Sequence, residues 1–188
     1  MHNILTPRGA KVRDTRAWAH YLDEAATQYG PRSDIVISSH CWPMFGREAG
    51  TAWLSAQRDN YRYLHDQTVR RMNRGETMAE IAEALSLPPA LGQEWSAHGY
   101  YGTYSHNAKA IYQYYLGWYD AVPANLHPHP PAERAMRMIE AMGGADRVLA
   151  LARNAMATGD YRWSSDLLQN LVFAAPDNAE AKSLLAQS

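Results

Sequence analysis

A mainly α-helical chain is predicted, opening with one helix-strand fragment of the kind found in layered α/β domains, and two features carry that expectation. Ile35-Val36-Ile37 is the one β-branched run that reads as a buried strand, whereas every segment after Gly46 repeats its apolar residues at helical spacing. With 46% hydrophobic residues, six Trp and twelve Tyr among 188 residues, the chain has side chains large enough to fill a core. A formal charge of −1, with both signs mixed along the chain, argues against nucleic acid or an anionic membrane as the main partner. A single cysteine, Cys41, excludes an intrachain disulfide framework. No apolar run approaches the ~20 residues that span a bilayer. Met1 to Pro7 lacks the basic and apolar regions of a signal peptide, so any export signal of a longer parent, periplasmic or secreted, lies upstream.

In chain order, the first helix is expected from Ala10 to about Tyr29, where Val12, Ala19, Leu22 and Ala26 form an apolar stripe that Gly30-Pro31 ends. It follows Arg8-Gly9 with no earlier element to pack on, as in a chain that starts inside a larger protein. The strand Ile35-Val36-Ile37 is expected to be buried on both faces and to deliver His40 at the rim of a sheet, with Pro43 closing it. One strand makes no sheet, so its partners belong to another copy or to a segment outside this chain. A long helix is expected from Ala52 to Arg74, with Gly75 as its stop. Thr77 and Glu80 have capping-box spacing for a short helix that ends before Pro88-Pro89. An aromatic glycine loop from Gly99 then leads into a helix from Ser105 to Tyr119. Pro123 to Pro131 reads as an extended connector, and its His127 and His129 as solvated linker rather than a metal pair. Helices follow over 133–142, 146–158, 161–174 and 179–185, and Ala155, Gly159, Tyr161, Leu168 and Pro176 fit one tetratricopeptide-like hairpin.

Three neighbourhoods are candidates for function. Arg8 and His40 pair an anion-holding fork with an imidazole that can ligate a metal or move a proton; the competing readings are a solvated charge and a loop histidine. Tyr100 to Asn107 combines glycines, hydroxyls and an amide with His106 at a helix start, which suits a sulfate or phosphate ester; a packed aromatic turn is the alternative. Trp53, Tyr61, Tyr63, Tyr112, Tyr114 and Trp118 supply either a partner surface or core. H-E-x-x-H, C-x-x-C and G-x-S-x-G are absent.

Four blocks in order, Arg8-Gly9-Ala10-Lys11-Val12-Arg13-Asp14, Ser39-His40-Cys41-Trp42-Pro43, Tyr101-Gly102-Thr103-Tyr104-Ser105-His106-Asn107 and Tyr115-Leu116-Gly117-Trp118-Tyr119-Asp120, resemble the metallo-β-lactamase-type alkyl sulfatases. That resemblance implies hydrolysis of alkyl sulfate esters such as dodecyl sulfate by two zinc ions in an αββα catalytic domain, followed by an all-α dimerisation domain and a sterol-carrier-like domain. It places residues 1–46 at the end of the catalytic domain and 47–188 in the dimerisation domain. It makes His40 the last zinc ligand, Arg8 a sulfate-binding arginine and His106 the proton donor to the leaving alcohol, with Tyr115 and Tyr119 as further substrate contacts. The family's His-x-His-x-Asp-His run and two glutamate ligands have no counterpart here. The chain alone is therefore expected to be inactive, to hold no stable zinc and to form a homodimer. The competing function is a stand-alone tetratricopeptide-like interaction module, and a third is an amphiphile binder without hydrolysis.

Overall fold

The computed structural model describes residues 1–188, and the chain divides into two compact units, Met1–Val122 and Pro123–Ser188. In the first unit, helix α1 runs from Thr15 to Gln28 and is capped by Asp14, whose Oδ1 accepts from the Ala17 N–H at 2.9 Å. The helix expected from Ala10 starts five residues later. Residues 10–13 are kept out of the helix because the Arg13 N–H donates to the Ile4 carbonyl at 3.0 Å, and the Asp14 cap then fixes the first turn.

Strands β1, Ile35–Val36, and β2, Met44–Phe45, pair antiparallel, with Ile35 opposite Phe45 and Val36 opposite Met44. This corrects the expected doubly buried strand: Ile35 and Ile37 are 52% and 74% exposed. Two residues of pairing give the rest of the run no ladder to join, and the backbone turns away at His40, whose φ is +64°. Val36 instead packs onto the start of the long helix α2, Arg47–Met72, where a Cβ on Gly50 would come within 2.8 Å of its Cγ2.

Helix α2 is five residues longer at its start than expected, beginning after Gly46 with φ +90°, and Gly75 follows its end as expected. Leu54, Gln57, Tyr61, Leu64 and Thr68 form its buried stripe, at the i, i+3, i+4 spacing of one helix face. Helix α1 packs along it, with Trp18 stacked on Tyr61 at 4.7 Å and Asp23 paired with Arg58 at 2.7 Å. Helix α3, Met78–Ala84, carries the expected capping box, the Glu80 carboxylate accepting from the Thr77 N–H at 2.8 Å. A single-turn helix α4, Pro89–Gly92, precedes a 3₁₀ turn at Trp95–Ala97. Helix α5, Tyr104–Leu116, is capped by Thr103 and ends three residues short of the expected Tyr119, because Gly117 takes φ +79°. It packs on α2 and α3, and Ile4, Leu64, Ile81, Ala108 and Ile111 meet in the core.

The second unit begins with a single-turn helix α6, Pro123–Leu126, where an extended connector was expected; a proline opens a helix without loss because its missing N–H needs no partner there. Helices α7 (Pro131–Ala141), α8 (Ala145–Ala157), α9 (Tyr161–Ala174) and α10 (Ala179–Gln187) follow, close to their expected bounds. Helix α9 packs on the other three, and Val148, Leu167, Leu168, Leu171 and Ala181 form this unit's own core. No helix of the protein is long and apolar enough to cross a membrane.

Candidate functional site

The irregular first thirteen residues matter because of where they run. The His2 N–H donates to the Tyr61 hydroxyl at 2.7 Å, and the Ile4 N–H to the Asn107 Oδ1 at 2.8 Å, which fastens the segment to α2 and α5. Asn107 Nδ2 returns a bond to the His2 carbonyl at 2.9 Å. Facing this segment, the 3₁₀ turn is held to α2 by Gln57, whose Nε2 donates to the Ser96 carbonyl and hydroxyl at 3.1 and 3.0 Å. Tyr104 donates to Asn60 and to the Ala97 carbonyl.

Between these walls lies a cavity of about 910 Å³. Its polar lining includes His2, Arg8, Arg13 and His40, and its aromatic lining includes Trp42, Trp53, Trp95 and Tyr100. His40 stacks on Tyr101 with ring centres 4.5 Å apart and 10° between planes, and His2 meets His40 edge-on at 5.7 Å. Arg13 lies over the Trp18 ring at 5.6 Å. Burial holds the His2 imidazole below its ordinary pKa, opposed by its hydrogen bond to the Ser39 backbone. Arginines and imidazoles beside a broad aromatic wall can hold an anionic head group with an apolar tail.

The structure thus brings Arg8 and His40 to one cavity with the candidate aromatics Trp53, Tyr61, Tyr100 and Tyr101, and leaves His106, Tyr115 and Tyr119 outside its lining. His106 sits in the first turn of α5, its N–H on Thr103 and its Nε2 2.8 Å from the Leu5 carbonyl. Tyr115 bonds through its hydroxyl to His65 Nε2 at 2.7 Å, and His65 Nδ1 lies 2.7 Å from Asp66. Tyr119 lies edge-on to Trp118 at 5.8 Å. Of the aromatic group, Tyr61 and Tyr112 are core residues, while Tyr114 and Trp118 are exposed. Sequence reading missed His2 and Arg13 as cavity residues, because periodicity carries no signal in the irregular first segment that places them; Trp18 reaches the cavity from α1.

Tyr61 gives an alkaline signature of this packing. Burial pushes its hydroxyl up to about 12 from 10.0. The neutral phenol is favoured in the folded state, so its contribution is complete below pH 10 and is lost as pH rises through about 12. Urea unfolding followed from pH 9 to 12 is expected to lose about 2–3 kcal/mol from this group, and Tyr61→Phe to flatten that slope. An unchanged slope in the variant would assign the loss elsewhere.

Residues 77–188 match the family model described as alkyl sulfatase dimerisation. Over the whole chain, the sequence is 49% identical to the alkyl/aryl-sulfatase BDS1 of Saccharomyces cerevisiae and 49% identical to an (R)-specific secondary-alkylsulfatase of a Pseudomonas species. It spans 29% and 28% of those proteins, less than a third of their length. The solved structure of the stereoselective inverting sec-alkylsulfatase Pisa1 from a Pseudomonas species superposes with a TM-score of 0.94 at 49% identity, covering 99% of this chain and 30% of that one.

Proposed function

Because this chain belongs to the alkyl sulfatase dimerisation family, we propose that it supplies the self-associating helical domain and one wall of the substrate pocket of an alkyl sulfate ester hydrolase. The observation that carries this reading is the cavity where Arg8 and His40 meet an aromatic wall, in a chain half identical to alkylsulfatases along its full length. Arg8 would hold the sulfate through charge-assisted hydrogen bonds, and the rings would hold the alkyl chain. His106 would reach substrate only in the complete enzyme. Residues 1–46 would close the catalytic domain, and 47–188 would form the dimerisation domain of a homodimer.

The donors here do not fit a pair of zinc ions, since no group of three or more His, Cys, Asp or Glu side chains is placed to hold a metal. His40 would ligate zinc only with partners from the rest of the enzyme. A free-standing helical interaction module would account for the second unit but not for alkylsulfatase identity through the first. The isolated chain is expected to take up no stoichiometric zinc and to leave dodecyl sulfate intact. It should still bind octyl sulfate, a less denaturing homologue, with a change in tryptophan emission. Arg8→Ala should weaken that binding about tenfold, the loss of one charge-assisted contact. Zinc uptake with turnover would overturn the assignment of the ligands to missing segments, and octyl sulfate binding no tighter than octanol binding would overturn the pocket reading.

A further inference from the structure

Three groups of exposed apolar side chains stand close together in sequence or line one cavity; Tyr21, Tyr29, Ile35, Phe45, Leu126 and Phe173 are exposed outside them. Ile37, Trp42, Trp95, Tyr100 and Tyr101 line the cavity and belong to the site already described. In the second unit, Met136 and Met138 flank Arg137, and Tyr161 and Trp163 flank Arg162. Single exposed hydrophobic residues among charges are ordinary surface.

The remaining set is different. Tyr114, Tyr115, Leu116, Trp118 and Val122 are all exposed, Trp118 by 68%, within ten charge-free residues, 110–119, and the turn that follows. Lys109 and Asp120 bracket the stretch in sequence, and the Asp14 carboxylate meets it at Tyr114, so its charges sit at its margins, as in the polar rim of an interface. Its rings are also fixed in advance. Tyr114 donates to Asp14 Oδ2 at 3.0 Å, Tyr115 bonds to His65 at 2.7 Å, and the two rings meet edge-on at 5.0 Å. With both hydroxyls already bonded, Tyr115 to the buried His65 and Tyr114 at the surface, less side-chain freedom remains to be lost on contact. Gly117 then turns the chain at φ +79° and leaves Trp118 in solvent.

We propose that this ridge, Tyr114 to Val122, is the face by which one copy of the chain docks on a second. The proposal rests on the self-association proposed above and names its surface. A second copy is the occupant because the ridge lies inside the segment, residues 77–188, that matches a dimerisation family. Its exposed rings and aliphatic groups offer on the order of 500 Å², taking a whole aromatic side chain as ~150–250 Å². That is the core of a standard interface of ~800 Å² per partner, with Trp and Tyr as the residue types that dominate such cores.

The test is sedimentation velocity on the full chain over a dilution series, comparing wild type with Trp118→Glu and, as a control in the second unit, Trp163→Glu. Trp118→Glu should weaken the dimer at least about 30-fold, the scale of a central hot spot, while Trp163→Glu leaves it unchanged. On wild type alone, amide hydrogen exchange across residues 114–122 should slow as concentration rises, a measurement that stands even if a variant misfolds. A wild-type chain that is monomeric throughout would overturn the self-association reading itself. A wild-type dimer insensitive to Trp118→Glu, or one with no protection over 114–122, would overturn only the placement of the face.

Discussion

Asn107→Ala is expected to cost about 3 kcal/mol of stability and to release residues 1–5 from the core. Asn107 is fully buried, and its amide is divided between two backbone groups: Oδ1 accepts from the Ile4 N–H at 2.8 Å, and Nδ2 donates to the His2 carbonyl at 2.9 Å. Alanine leaves both without partners in a site closed to water, at about 1–3 kcal/mol for each orphaned group. Ile4, also fully buried in the core cluster, depends on that anchor for its position. Urea unfolding should show a lower midpoint with an unchanged slope. Because His2, Arg8 and Arg13 reach the cavity from this segment, octyl sulfate binding should weaken in the same variant. A stability loss under 1 kcal/mol would mean that the His2 bond to Tyr61 and the burial of Ile4 hold the segment unaided.

The same residues mark how far the sequence could be read. Helices were legible where a period and a punctuating residue coincide: Thr77 and Glu80 form the capping box their spacing predicts, and the helix over 161–174 has the expected bounds. Asn107 shares its block with His106, and spacing could not tell that both side chains bond the backbone of the first five residues, Asn107 at His2 and Ile4 and His106 at Leu5. The Tyr115 and His65 pair spans fifty positions and leaves no local trace. Ile35-Val36-Ile37 misled for a related reason. β-branched residues report a preference for extended backbone, but burial depends on what covers the strand, and here β2 offers only two residues. Arg8 and His40 share a cavity because one lies on a turn of the irregular first segment and the other on the turn after β1, which residue type alone does not foretell.

Gly102→Ala is expected to open the cavity wall from the opposite side. Gly102 is buried, its N–H donates to the Met1 carbonyl at 3.1 Å, and a Cβ there would stand 2.9 Å from both the carbonyl carbon and oxygen of His2. Those are backbone atoms and cannot rotate aside, so the loop carrying Tyr100 and Tyr101 and the segment carrying His2 must separate. Carbon contacts settle near ~3.5–4 Å, so the separation is up to about 1 Å. The strain should cost about 2–3 kcal/mol, toward the upper end for an overpacked site. The stack of His40 on Tyr101 and the edge contact of His2 with both would loosen together. Octyl sulfate affinity should therefore fall about tenfold, while Gly92→Ala, whose added Cβ meets nothing within 4 Å, should leave both stability and affinity close to wild type. Thermal unfolding and fluorescence titration of the two variants in parallel would decide it. Equal behaviour would show that the first residues and the 99–102 loop are not locked together, and that the cavity keeps its shape by the grip of Asn107 alone.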